Sequence, residues 1–284
     1  MNDVKHMKDL LLRNGFRDDP SSMVILVDDK RAMSGNDSPT KSNILKGLNW
    51  LVHNVVPGDV LFFHFSGHGA QVPDKTGMES DGFNETILPV DYNRSGQIVD
   101  DELWGRLIYK IPNGVRLTAV MDCCHSGTGL DLPLDYDLRS HRWKEDTNPA
   151  HSQGDVVLFS GCQDAQTSAD VQDKYKAGGA MTNAFLAAYT GNDSFPKFLE
   201  NLHYHLKKRG FKQRPQLTSS QAFDIYRVFH LTQGMICGNR NGEVGRSKRR
   251  HIKPGKANNG GMNDVLFQGA ALLGAFALGQ AIFD

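Results

Sequence analysis

The run Val60-Leu-Phe-Phe-His-Phe-Ser66 passes without a break into Gly67-His68-Gly69. Its apolar part, Val60–Phe65, is short, nearly continuous and rich in branched and aromatic side chains, the pattern of a strand covered on both faces. Glycine on either side of His68 then lets the backbone turn where the strand stops. A second run of this kind, Leu117–Met121, leads into Asp122-Cys123-Cys124-His125-Ser126-Gly127. Met23–Val27 and Val156–Ser160 have the same strand character. Between these runs lie helical patterns at Val4–Arg13, Thr40–Val55, Glu102–Ile111 and Thr182–Tyr189; Thr40 is placed to cap the second, and Pro57-Gly58 ends it. Strand and helix in alternation predict an α/β domain with a largely parallel sheet. In such sheets ligands sit beyond the carboxyl ends of the strands.

The 284 residues balance 32 Lys+Arg against 32 Asp+Glu, so nothing in the overall charge favours nucleic acid. A charged fraction of 23% excludes wholesale disorder and a polytopic membrane protein. Four cysteines, two of them adjacent, are too few for a disulfide scaffold and fit a reducing, cytoplasmic setting. Residues 131–154 read as a long polar loop, of the kind that is functional or disordered. The main domain spans 1–232. A Gly/Asn-rich basic linker follows at 233–264, containing Arg246-Ser-Lys-Arg-Arg-His-Ile-Lys, and then an apolar tail at 265–284. The tail is uncharged from Val265 to Phe283. Its Gly and Gln content makes it a weak membrane anchor; an interfacial or self-docking helix and a disordered extension are the other readings.

Two strand ends carry reactive side chains. A thiol and an imidazole brought together at neighbouring carboxyl ends form a nucleophile and its base, the thiolate being the attacking species. Alternation along a strand puts Asp122 and Cys124 on one face and Cys123 on the other. His68 and one of these two cysteines are therefore the candidate catalytic pair. A zinc site from His64, His68, Cys123, Cys124 and His125 is the competing reading; adjacent cysteines lack the spacing that zinc ligands favour.

These segments resemble those of the type I metacaspases, in the caspase-like clan of cysteine peptidases. The residues that carry the likeness are Ser66-Gly67-His68-Gly69, Asp81-Gly-Phe-Asn84-Glu-Thr-Ile-Leu-Pro-Val-Asp91-Tyr, Gln97-Ile-Val-Asp100-Asp101-Glu and Asp122-Cys-Cys-His-Ser-Gly127. Ser160-Gly-Cys-Gln-Asp164, Gln166-Thr-Ser-Ala-Asp170 and Gly179-Ala-Met-Thr182 extend it through roughly residues 1–232. The spacing of about 50 residues from His to Cys agrees with the caspase pattern, and laying that pattern on Asp122-Cys123-Cys124 implies His68 and Cys124 as the catalytic pair, in agreement with strand alternation, with Cys123 a small buried apolar residue.

The resemblance implies a caspase-like sandwich, a mostly parallel sheet with helices on both faces, and a monomeric cysteine endopeptidase. In it the N–H groups of Gly69 and Cys124 would stabilise the oxyanion. It implies a substrate pocket of Asp3, Ser66 and Asp122 that selects Arg or Lys before the cut bond, and a calcium site of Asn84, Asp100, Asp101 and Asp131. Asn84 stands where the family usually has Asp, which predicts weaker calcium binding, with Asp81 a possible substitute donor. The segment Val171-Gln-Asp-Lys174-Tyr-Lys176 offers basic residues for self-cleavage. Family domains begin with an apolar strand ahead of the helix bearing Asp3; this sequence starts at Met1-Asn2-Asp3, so that first strand is expected to be missing and to leave an apolar groove in the sheet. The alternative from another class is a catalytically inactive caspase-like scaffold that acts by binding partners.

Overall fold

The computed structural model describes residues 2–28, 37–75, 77, 79, 82–123, 129–146, 149–161, 179–211, 213–234 and 275–281. Its strands are β1 (Met23–Val27), β2 (Val60–Ser66), β3 (Gly69–Pro73), β4 (Phe83–Ile87), β5 (Ile98–Val99), β6 (Arg116–Asp122), β7 (Leu134–Asp137), β8 (Arg142–Glu145), β9 (Asp155–Ser160), β10 (Gln216–Ser219) and β11 (Ala275–Ala281). The helices are α1 (Asn2–Arg13), α2 (Lys41–Leu51), α3 (Tyr92–Ser95), α4 (Asp100–Arg106), α5 (Ala180–Ala188) and α6 (Phe195–Lys208).

Eight strands form one sheet in the order β1-β11-β2-β6-β9-β10-β7-β8, and β3-β4-β5 make a small second sheet. The centre is parallel: β2 pairs β6 and β6 pairs β9 in register, Ser66 opposite Asp122 and Met121 opposite Ser160. Antiparallel ladders flank it, and five of the eight strands run the same way. Alternation sends Leu61, Phe63 and Phe65 of β2 toward α2 and α4, where Ile44, Leu48 and Leu103 complete one core. Phe62 of β2 and Phe159 of β9 face the other way, into a core built with Met7 and Leu11 of α1, Phe185 of α5 and Phe198 and Leu202 of α6. The aromatic rings there pack closely, Phe159 lying 5.2 Å from Phe198 and 4.9 Å from Phe229 between centroids. Helices on both faces of a sheet with a parallel centre are the expected caspase-like α/β arrangement.

The four apolar runs are strands at or within a residue of the expected limits. The third expected helix ends earlier than read, at Arg106, followed by a single tighter turn at Ile108–Lys110. The polar stretch 131–154 is not a structureless loop. It contains the hairpin β7–β8, which extends the sheet through β10, with Leu134 and Tyr136 buried and the Trp143 indole donating to the Phe223 carbonyl. Alternate burial along four residues sufficed to dock it, and so short a pattern is easily lost among Asp and Arg.

The C-terminal segment supplies a strand to this same sheet. β11 lies between β1 and β2 and is antiparallel to both, Val27 facing Ala275 on one side and Ser66 facing Ala275 on the other. The groove expected beside β2 is thus filled in the structure by residues 275–281. An internal sheet position satisfies N–H and C=O groups of two neighbouring strands at once, which outweighs the modest strand propensity of a segment rich in Ala and Gly. Among the described residues no helix is long and apolar enough to cross a membrane. The basic run 246–253 lies outside them.

Candidate active site

The carboxyl ends of β2 and β6 meet at Ser66 and Asp122, tied further by the Gly67 N–H donating to the Asp122 carbonyl at 3.1 Å. Parallel pairing in register is what brings two residues 56 positions apart side by side. Asp3 comes to the same point from the first turn of α1; the Ser66 hydroxyl donates to Asp3 Oδ2 at 3.3 Å. The three residues assigned to the substrate pocket are therefore assembled. Asp122 is buried, and its carboxyl is pushed up to about 6 by burial, with the Asp3 carboxylate adding to the effect and hydrogen bonds from Thr182 opposing it.

Four further residues, which the sequence reading gave no role in the pocket, pack around its two carboxylates. The Thr182 backbone N–H, in the first turn of α5, donates to Asp122 Oδ2 at 2.6 Å. Asn183 Nδ2 donates to Asp3 Oδ1 at 3.2 Å. Gly179, at a left-handed φ of 77°, lets the chain approach so closely that a Cβ there would sit 2.3 Å from Asp3 Oδ2. His64, on the same face of β2 as Ser66, is fully buried with Nε2 3.0 Å from Thr182 Oγ1. The period of two along β2 places His64 on the face of Ser66 and is the signal that would have found it, while Thr182 lies in the family-like segment Gly179-Ala-Met-Thr.

His68 follows β2 directly, exposed, with its carbonyl accepting from the Leu88 N–H at 3.0 Å. Cys124 and Gly127 lie outside the described residues, as do His125, Asp81, Lys174 and Lys176. Cys123 is buried in the opposite layer from Asp122, among Ile87, Leu103 and Met121. Of the donors in the competing zinc reading, Cys123 lies in one layer and His64 faces Thr182 in the other, so these two do not meet, and among the described residues no three His, Cys, Asp or Glu side chains gather.

The four expected calcium ligands occupy three places. Asn84 is buried in β4 with no hydrogen-bond partner for Oδ1. Asp100 opens α4 fully buried; its Oδ2 accepts from the Glu85 N–H at 2.9 Å and its Oδ1 from the Asp101 N–H at 2.7 Å. Burial, with the nearby Glu85 carboxylate, pushes the Asp100 carboxyl up to about 9. Asp131, half-buried at a φ of 52°, stands on the loop that precedes β7. An unpartnered amide oxygen and a crowded carboxylate suit a hard cation, so Asn84 and Asp100 fit. Asp101 and Asp131 are not gathered with Asp100 into one ligand set.

Comparison with known proteins finds relatives of this chain. The family model described as "Metacaspase, peptidase C14 domain" matches residues 1–133. The chain is similar to Metacaspase-5 of Trypanosoma brucei brucei, 43% identical over 249 residues, which is 81% of this chain and 49% of that protein. It is similar to Metacaspase-1 of Plasmodium falciparum (isolate 3D7), 40% identical over 263 residues, 90% of this chain and 42% of that protein. With Metacaspase-2 of Trypanosoma brucei brucei (strain 927/4 GUTat10.1) it shares 40% identity over 250 residues, 82% of this chain and 71% of that protein. The chain spans about half the length, or less, of the first two.

Proposed function

This chain belongs to the metacaspase family, and on that premise we propose that it is a cysteine endopeptidase that cuts proteins after Arg or Lys. The observation that carries the reading is the meeting of Asp3, Ser66 and Asp122 at the strand end that leads into Gly67-His68-Gly69. In this reading His68 takes the thiol proton of Cys124, and the sulfur attacks the carbonyl carbon of the scissile peptide. The oxyanion so formed accepts hydrogen bonds from the N–H groups of Gly69 and Cys124; one such donor is typically worth about 3 kcal/mol. Collapse expels the amine, which takes its proton from His68, and water then hydrolyses the thioester.

Two carboxylates around one small volume repel each other and any acidic side chain. A guanidinium or ammonium relieves that repulsion and forms charge-assisted hydrogen bonds, each worth about 1.5–3 kcal/mol. An Asp side chain in the same place adds a third negative charge, so the specificity is opposite to that of caspases. Calcium dependence is part of the proposal: Asn84 and Asp100 would hold the ion, with Asp101 and Asp131 the remaining candidates, and the ion would neutralise the carboxylates crowded at the start of α4. Self-cleavage after Lys174 or Lys176 follows from the same specificity.

A matched set of fluorogenic peptides differing only in the residue before the cut bond tests the reading. With calcium present, Arg and Lys peptides should be cleaved and the Asp peptide not, and Cys124→Ala should be inert. Turnover of the Asp peptide at a comparable rate would remove the pocket assignment. Absence of any turnover in the wild type would favour the inactive-scaffold alternative.

A further inference from the structure

Behind the acidic pocket lies a polar chain that the proposed chemistry does not use. His64 Nε2 is 3.0 Å from Thr182 Oγ1. Thr182 bonds the Asp122 carboxyl through its backbone N–H at 2.6 Å, and its hydroxyl stands beside the same carboxyl. The imidazole has no exposure at all, and burial holds it neutral, its pKa lowered to about 3. A neutral imidazole carries a single N–H, so the chain can run in only one of two senses.

If Nδ1 held the proton, Nε2 would accept from the Thr182 hydroxyl and draw that proton away from Asp122. Nδ1–H would then be a buried donor with no partner, because Nδ1 has none among the described residues. If Nε2 holds the proton, it donates to Thr182 Oγ1, the hydroxyl proton turns to Asp122, and Nδ1 is left as an unpaired acceptor. An unsatisfied buried acceptor occurs more readily than an orphaned N–H. The second sense satisfies more of the chain and delivers every available donor to the carboxylate.

We propose that His64 and Thr182 form a one-directional donor relay, His64 Nε2–H to Thr182 Oγ1–H to Asp122, that holds Asp122 as an oriented anion for the basic substrate side chain. Both are positioning residues, since neither needs to touch the substrate. Among the described residues, the titratable groups that face Asp122 from the packed elements are Asp3 on α1 and His64 on β2; α5 contributes the N–H groups of Met181 and Thr182 and the Thr182 hydroxyl. Asp3 works against ionisation of Asp122, and the Thr182 donors work for it. The relay rests on the reading of Asp122 as part of the substrate pocket, and the test separates the two.

The ratio of kcat/KM for an Arg peptide to that for the matched citrulline peptide is measured on the full chain from pH 5 to 8. Citrulline keeps the shape and loses the charge, so ionisation of His68 and Cys124 cancels in the ratio. The wild-type ratio should rise with pH, with a midpoint near 6. Thr182→Val keeps the backbone donor and the branched shape but loses the hydroxyl, and should move the midpoint up by about one unit. At pH 6.5 that lowers the Arg preference about threefold. His64→Phe should shift it the same way by less, and Thr182→Ser should restore the wild-type midpoint; a structural defect would lower both peptides together. A wild-type ratio that is flat near one overturns the pocket reading itself. A wild-type preference whose midpoint is unmoved in Thr182→Val overturns the relay alone. Nitrogen-15 spectra of His64 give an answer without activity: the Nε2–H form, unchanged across this range, is expected, and the Nδ1–H form contradicts the relay.

Discussion

Replacing Asp122 by Asn should make the protein more stable at neutral pH while removing its preference for basic substrates. The carboxyl is buried and held up to about 6, against 3.8 for an ordinary Asp. A group whose folded value is raised stabilises the fold in its protonated form. That contribution is complete below about 4 and is lost as the pH rises through 6. At 1.36 kcal/mol per unit, an anionic Asp122 costs about 3 kcal/mol at pH 7.5, as an order of magnitude. Asn has no charge to bury, and its amide oxygen can still accept from the Thr182 N–H that now bonds Oδ2. Urea unfolding of wild type and Asp122→Asn should therefore differ by about 3 kcal/mol at pH 7.5 and by only about 1 kcal/mol at pH 4.5. The corresponding rise in melting temperature is roughly 6–12 °C at neutral pH. Titrating groups elsewhere affect both proteins alike and cancel. An Asn variant that is no more stable than wild type at pH 7.5, or a gap that does not narrow in acid, would refute the account of Asp122 as a buried anion kept for function.

Three other outcomes follow from the structure. Gly279 faces Met23 on one side and Phe62 on the other, so Gly279→Pro removes a ladder N–H inside the sheet and should cost about 3 kcal/mol or more; amide exchange at Met23–Val27 should accelerate with it, and unaltered exchange there would place β11 outside the sheet. Gly179→Ala puts a methyl group against Asp3 at a left-handed φ and should raise KM for Arg peptides several-fold, more than it lowers kcat; equal kinetics would show that Asp3 is not held by that contact. Asp100→Ala should raise the calcium needed for half-maximal hydrolysis and Asn84→Asp should lower it, whereas full wild-type activity in excess chelator would eliminate calcium from the mechanism.

The parallel centre was legible because strands covered on both faces must be apolar throughout, as Val60–Phe65 and Leu117–Met121 are. Sequence reading lost the flanks, where β10 is the four residues Gln216–Ser219 and β5 only two, too short for any period to register. Helix α6 was missed although Phe195, Phe198, Leu199, Leu202 and Leu206 recur at helical spacing behind Ser194 and ahead of basic Lys207 and Lys208, all ordinary signals. β11 was beyond local reading, because what makes Ala275–Ala281 a strand is the space between β1 and β2 and not its own composition. In the site, Ser66 and Asp122 lie at strand ends that local reading found, but their place in a substrate pocket, like that of Asp3, entered through the family resemblance. Thr182 and Asn183 escaped because a helix N-terminus acquires its role only from what α5 is packed against.

The most direct test of the central claim is covalent labelling of the wild-type chain by a peptidyl chloromethyl ketone with Arg at its reactive end, followed by mass mapping of the modified residue. A pocket of Asp3, Ser66 and Asp122 serving a Cys124 nucleophile predicts stoichiometric alkylation of Cys124, none of Cys123, and no labelling by the otherwise identical Asp reagent. Alkylation of Cys123 in place of Cys124, or equal labelling by the Asp reagent, would contradict it.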